Sequence, residues 1–304
     1  MIKTTKESPL QNRLIKIGDQ LKEWCELIKV EHTVFALPFA LSGLILGARG
    51  ASISSPETFF WTIMAFTCAR TAAMSLNRVI DANIDALNPR TQNRAIPQGR
   101  LNKASATTLA ICSFALMLLA AWHLPPLCLK LAPLAVIWLS FYSYTKRFSS
   151  LCHLVLGIAL GGATLGGWLA AGGTLGTIEP WLLSAAVTTW VAGFDIIYAC
   201  QDFAFDRSQR LHSLPAKLGI AHALLISRKL HLLTILLLIA VGVILKLGTF
   251  FWIGTIVVGL MLFYEHSLVR ESDLSKVNAA FFQVNGLVSI IAFIAIFLDK
   301  LTRS

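Results

Sequence analysis

Residues 180–206 read PWLLSAAVTTWVAGFDIIYACQDFAFD. Between Pro180 and Tyr198 the only charged group is Asp195, and a bilayer crossing needs about 20 mostly apolar residues. The run then ends in Tyr198, Asp202 and Asp206, set at steps of four. On a helix each such step drifts a side chain by only about 40°. The stretch therefore reads as a helix that crosses a membrane and emerges as a polar strip on one face. Asp195 lies on that face too, seven residues before Asp202.

The pattern occurs a second time, upstream. In LNRVIDANIDALNPRTQNRAIPQG (76–99) an apolar run ends in Asn77, Asp81 and Asp85, again at steps of four, and a long basic loop follows. Such repeats in membrane bundles often place the site at their interface. Like charges one turn apart repel, and carboxylates near a bilayer are costly without something positive among them. One strip alone reads as a wet helix end paired with Arg78, Arg90 and Arg207. Two strips suit Mg²⁺, which binds through one or two carboxylates plus substrate phosphates.

The rest of the chain fits a membrane bundle. Its 304 residues are 56% hydrophobic and 14% charged, with mean hydropathy +0.68. A soluble domain is about 45–50% apolar and about 25% charged, so an ordinary soluble enzyme, a disordered chain and a disulfide scaffold are excluded. Nine apolar runs are visible: 33–48, 57–76, 104–123, 127–144, 150–172, 180–198, 229–246, 250–266 and 278–298. The expected fold class is all-α, a polytopic bundle of nine transmembrane helices with a cytoplasmic polar cap. Residues 1–32 form a separate N-terminal segment. Within it QNRLIKIGDQLKEWCELIK (11–29) has the three- and four-residue apolar spacing of an interfacial amphipathic helix. No cleavable signal peptide is expected, because the first thirty residues lack an apolar core. The six cysteines show no metal-ligand spacing and read as buried apolar residues.

The net charge of +10 is explained by topology. Lys and Arg gather in the N-terminal segment and in alternate connections, at Arg78–Lys103, Lys146–Arg147, Arg207–Lys229 and Arg270–Lys276. Arg49, Lys246, Lys300 and Arg303 are left for the other side. Cytoplasmic loops carry such an excess, so the N-terminus and both strips are expected at the cytoplasmic face of an inner membrane, beside membrane lipid. No nucleic-acid partner is expected.

Two such motifs at the ends of spans resemble the UbiA superfamily of intramembrane aromatic prenyltransferases. Asn88-Pro89-Arg90-Thr91 with Arg94, Pro97 and Gly99, and Tyr142-x3-Lys146-Arg147, strengthen the likeness. EHTVFALPFALSG (31–43), GFDIIYACQDFAFDR (193–207), HSLPAKLG (212–219) and YEHSLV (264–269) look closest to the 4-hydroxybenzoate polyprenyltransferase-like branch of the futalosine route to menaquinone. The resemblance makes residues 33–304 one prenyltransferase domain. It implies transfer of a prenyl group from a polyprenyl diphosphate to a ring carbon of an aromatic carboxylic acid. Candidate acceptors are 1,4-dihydroxy-6-naphthoate and 4-hydroxybenzoate.

On that resemblance Asn77, Asp81, Asp85, Asp202 and Asp206 are the Mg²⁺ ligands, and Arg94, Lys146, Arg147 and Lys217 are diphosphate contacts. Lys146 and Arg147 also read as a positive-inside anchor. Tyr198, with Phe194 and Phe205, offers π faces to an allylic cation. Arg70, seven residues before Asn77, either binds the acceptor's carboxylate or pairs with Asp195. Asp195 is alternatively the base that takes a proton, or a group that orients the acceptor hydroxyl. Glu31-His32 and Glu265-His266 rim the pocket or are structural. Asn278 and Asn285 are expected as interhelical hydrogen bonders, and the glycines of 157–173 as a close helix contact or a groove wall. Lys217 and Arg210 sit in a loop that is a candidate lid. A secondary transporter also explains buried charges, but its site belongs near the midplane; a lipid-binding scaffold does not need two aligned strips.

Overall fold

A computed structural model describes residues 9–48 and 54–303, with side chains described except at 9–17, 19, 31, 32, 34 and 35. The side chains of Glu31 and His32, and Arg49, for which roles are expected above, lie outside what is described. The helices are α1 (Pro9–Ile28), α2 (Val30–Gly47), α3 (Pro56–Ile80), α4 (Ala82–Leu87), α5 (Lys103–Trp122), α6 (Pro126–Thr145) and α7 (Cys152–Ala170). They continue as α8 (Glu179–Ala199), α9 (Phe203–Ser208), α10 (Leu214–Leu218), α11 (Ile220–Ile244), α12 (Thr249–Leu268) and α13 (Asn285–Thr302). Among the described residues eight helices are long and apolar enough to cross a membrane, and the apolar part of α2, Ala36–Gly47, is shorter.

The expected runs fall on these helices, with one large boundary difference. The run expected to begin at 229 begins at Ile220. Arg228 and Lys229 marked a stop in the sequence, yet a helix continues past charged residues wherever they reach water. Its start is set instead by Gly219 at φ 82. Local signals fix other starts: Ser55 accepts from Thr58 N–H with Pro56 at the first turn of α3, and Asn102 accepts from Ser105 N–H before α5.

The two polar strips are not on straight helices. Asp81 (φ −92, ψ 3) breaks α3 from α4, and Asp202 (φ −93, ψ 6) ends a short 3₁₀ turn, Cys200–Asp202, between α8 and α9. The repeat visible in the sequence is thus a repeat of a bend, placed at the middle carboxylate each time.

Small residues bring the core helices together. A Cβ on Gly43 or Gly47 of α2 would strike the α7 backbone at Thr164 and Trp168, and one on Gly167 would strike Ala40 of α2. Gly157 and Gly161 lie as closely on α8 at Thr188 and Ser184. The glycine-rich span is therefore a close helix contact on one face. Gly162 and Gly166, on its other side, meet nothing. Replacing Gly167 by leucine is expected to destabilise the protein by about 3 kcal/mol through overpacking, whereas Gly162→Ala should be neutral or better. Melting in detergent compares the two; equal melting temperatures would contradict the contact.

Candidate active site

The site is built where α3, α6 and α8 end together. Asp85 and Asp202 are each 6% exposed and Asp206 is 0% exposed, which no carboxylate tolerates without partners. Each of the four carboxylates is matched by one cation. Arg94 Nη1 donates to both oxygens of Asp85 at 2.7 Å. Arg90 forks onto Asp202, Nε to Oδ1 at 2.9 Å and Nη2 to Oδ2 at 2.6 Å, while Asn88 Nδ2 donates to Oδ1 at 3.0 Å. Arg147 Nη2 stands 3.2 Å from Asp81 Oδ1 and donates to the Ile80 carbonyl at 2.6 Å. Lys146 Nζ lies 2.8 Å from Asp206 Oδ1, and the buried Asp206 Oδ2 has no hydrogen-bond partner among the described residues. The dipeptide Lys146-Arg147 therefore touches both strips. Asn77 Nδ2 donates to Asp81 Oδ2 at 2.8 Å.

Protonation follows from these pairs. Burial pushes the Asp81 carboxyl above its usual range, against the hydrogen bond from Arg147. Burial pulls Lys146 down, and Asp206 more than restores it, leaving the ammonium above its ordinary value. For Arg90 too, burial is outweighed by the bonds to Asp202.

Below this layer opens a cavity of about 550 Å³. Asn77, Arg90 and Arg94 line it, but the four carboxylates do not; they stand behind their cations. Arg70, Tyr142, Asp195, Tyr198 and Phe194 line its wall. Arg70 has no ion pair among the described residues, and its shielded Nε has no hydrogen-bond partner. Tyr198 accepts a hydrogen bond from Arg90 Nη1 at 3.0 Å, and the Arg90 guanidinium carbon sits 5.1 Å from the ring centroid. A π turn, Ala279–Val284, delivers Phe281 and Phe282 to the same wall; such bulges often mark functional sites.

Several expectations need correction. Arg70 does not pair with Asp195, because Asp195 Oδ2 is bonded at 2.6 Å to His153 Nδ1 on the adjacent helix α7. Lys217 is exposed, with Nζ 3.5 Å from Ser150 Oγ, and does not line the cavity. The reason is that His212 N–H bonds the Lys146 carbonyl at 2.8 Å, pinning this loop to the α6–α7 corner. Arg210 and Phe205 do not line the cavity either. Glu265 and His266 lie behind it. Glu265 accepts from Asn285 Nδ2 at 2.7 Å, and His266 Nε2 is 3.0 Å from His231 Nδ1. Asn285 is thus the expected interhelical hydrogen bonder, whereas Asn278 lines the cavity.

The profile of the UbiA prenyltransferase family matches residues 36–291, which include both strips, the Lys146-Arg147 corner and the cavity wall. The chain belongs to the UbiA prenyltransferase family. It is a multi-pass membrane enzyme that transfers prenyl groups. It is similar to the 4-hydroxybenzoate octaprenyltransferases of Chromohalobacter salexigens, 30% identical over 85% of each chain, and Nitrosomonas europaea, 29% identical over 94% of this chain and 98% of that one. Its fold is similar to the apo structure of a UbiA homolog from Aeropyrum pernix K1, with TM-score 0.81, 35% identity and coverage of 88% and 98%. A UbiA homolog from Archaeoglobus fulgidus bound to DMAPP and Mg²⁺ has the same fold at 18% identity, with TM-score 0.73 and coverage of 92% and 99%.

In this UbiA enzyme Asn88, Arg90, Arg78 and His153 were not expected as site residues. Arg78 lines the cavity and donates through Nε to the Leu27 carbonyl at 3.3 Å, tying α1 to the roof. The run of Asn88, Pro89 and Arg90 was the available signal for the first. Nothing local to His153 announces its partner, 42 residues away.

Proposed function

We propose that this enzyme transfers a polyprenyl group from a polyprenyl diphosphate to a ring carbon of an aromatic carboxylic acid, in quinone biosynthesis. The observation that carries the reading is one cavity with two chemically different ends. Its mouth is walled by Asn77, Arg90 and Arg94, with the carboxylates close behind them. Its wall holds the unpaired guanidinium of Arg70 and the carboxylate of Asp195.

The donor set suits Mg²⁺. Asp81, Asp85, Asp202 and Asp206 offer hard carboxylate oxygens with Asn77 beside them, and the buried Asp206 Oδ2 has no hydrogen-bond partner among the described residues. Among the described residues no three His, Cys, Asp or Glu side chains enclose an ion site. Mg²⁺ needs no such cage, since it takes one or two carboxylates plus phosphate oxygens and keeps waters. When bound it would supply positive charge to the departing diphosphate. Arg90, Arg94, Lys146 and Arg147, now on carboxylates, are the cations in reach of phosphate oxygens; Arg suits them by its fork of donors. Arg70 takes the acceptor's carboxylate and so aims the ring. Tyr198, Phe194 and Phe281 wall the reacting carbon away from water. Asp195 receives the proton that substitution on the ring releases.

The basic loops support a site and an N-terminus at the cytoplasmic face of the inner membrane. Residues 1–32 belong at the membrane surface and 33–304 form the catalytic domain. The curated relatives favour 4-hydroxybenzoate as acceptor, while the quoted stretches favour 1,4-dihydroxy-6-naphthoate. The test is turnover of purified enzyme with Mg²⁺, a polyprenyl diphosphate and each acid in parallel. Product from one acid assigns the acceptor. EDTA is expected to abolish product and excess Mg²⁺ to restore it; product that survives EDTA, or none from either acid, refutes the proposal.

A further inference from the structure

We propose that His153 is a positioning residue for prenyl transfer: held as one neutral tautomer by a backbone N–H, it fixes one oxygen of Asp195 and leaves the other to accept a proton in the cavity. The inference rests on the reading of Asp195 given above.

The geometry is closed on one side. His153 is 4% exposed. Its Nε2 receives the Leu214 N–H at 3.2 Å. A backbone N–H can only donate, so Nε2 carries the lone pair. The proton is therefore on Nδ1, which donates to Asp195 Oδ2 at 2.6 Å. A doubly protonated ring would point Nε2–H at the Leu214 N–H 3.2 Å away, so the backbone works against it. Asp195 Oδ1 makes no hydrogen bond among the described residues, and the side chain, 24% exposed, faces the cavity. The Leu214 tie is itself held in place. His212 N–H bonds the Lys146 carbonyl at 2.8 Å, and the Cys152 thiol reaches the His212 carbonyl at 3.7 Å. The α9–α10 loop thus joins the corner that carries Lys146 to the residue that orients Asp195.

The chemistry requires such a group. In the substitution a C–C bond forms from the allylic carbon to the ring. The allylic C–O bond breaks with its electron pair going to diphosphate. The ring C–H pair restores aromaticity, and one proton leaves. An oriented carboxylate takes it, and a hydrogen bond to a carboxylate favours its charged form.

Two amide substitutions separate the roles. In His153→Asn the amide nitrogen stands where Nδ1 stands and keeps the donor to Asp195. In His153→Gln the amide reaches the Nε2 position, keeping the tie to Leu214 and losing that donor. Losing a hydrogen bond to a carboxylate disfavours its charged form. His153→Gln is therefore expected to lower kcat roughly 10–100-fold, part of what a general base contributes, and to move the acid limb of the kcat profile upward. Acceptor KM and Mg²⁺-dependent diphosphate binding, followed by calorimetry, stay near wild type. His153→Asn keeps the wild-type limb. Other ionisable groups on the cavity are Arg70 and Arg78 of α3, Tyr142 of α6, Tyr198, Arg90, Arg94, Glu26 and Lys29. His231 of α11 packs behind α8, against Gly193 and the Trp190 carbonyl. All are unchanged in both variants, so a limb that moves only in His153→Gln reports on Asp195. An unmoved limb in His153→Gln, or equal damage in His153→Asn, overturns the inference. Asp195→Asn separates this from the parent reading: full turnover there removes Asp195 as base and His153 with it. Lost turnover there with an unmoved His153→Gln limb sinks the His153 role alone.

Discussion

Replacing Arg70 by leucine is expected to raise the acceptor's KM about 100-fold and, at the same time, to make the protein harder to melt. Both effects follow from one fact. The guanidinium lies within the bundle with no ion pair, and its Nε has no partner among the described residues. An intramembrane cation is costly, and removing an uncompensated one relieves that cost, here by about 1 kcal/mol. An intramembrane cation without a partner is a functional-site candidate, and the proposed ligand is the acceptor's carboxylate. Losing one partner of a desolvated charge pair costs about 2–5 kcal/mol, and about 2.7 kcal/mol is a hundredfold. Diphosphate binding, proposed for the other end of the cavity, should not change. Steady-state kinetics with each substrate varied in turn, together with melting in detergent, reads all three quantities. An unchanged acceptor KM removes Arg70 from the acceptor site. A lower melting temperature shows that the guanidinium supports the fold.

Asp202→Asn carries the second large effect, a fall in kcat/KM of at least ~100-fold, with the Mg²⁺ requirement shifted to higher concentration. Removing one group that stabilises developing charge typically costs about 10²–10³ in rate. Asp202 has a second duty, because it fastens Arg90 and Asn88 and, through Arg90, the hydroxyl of Tyr198. The amide keeps the shape and removes the charge, so Arg90 loses its counter-ion. The stability change should stay below about 2 kcal/mol, since the Arg90 side chain is 30% exposed and water screens it. Calorimetry of Mg²⁺ and a diphosphate, added singly and together, distinguishes metal loss from collapse of the loop. Wild-type metal dependence in this variant excludes Asp202 as a ligand.

Which parts of this were legible in sequence depends on the range of the interaction that fixes them. The apolar runs and the carboxylates at steps of four are local, and a helix converts such spacing into a shared face whatever surrounds it. That is why Asn77, Asp81, Asp85, Tyr198, Asp202 and Asp206 fall at one end of the bundle. The basic loops likewise declare their side without any contact being known. The bend at Asp81 and Asp202 was invisible, because steps of four look the same on a straight helix and on one broken at its middle residue.

A membrane bundle with two acidic strips and a basic corner beside them is readable from the order of residues alone. Which groups meet is settled by the folded helices. Asp202 takes Arg90 from 112 residues away, Asp206 takes Lys146, Asp195 takes His153 rather than Arg70, and Lys217 is drawn off to the surface by its loop. Periodicity states which way a side chain points on its own helix. An ion pair or hydrogen bond forms only at contact distance, and that distance is set by how helices far apart in the chain pack, here through the small residues that bring α2, α7 and α8 together.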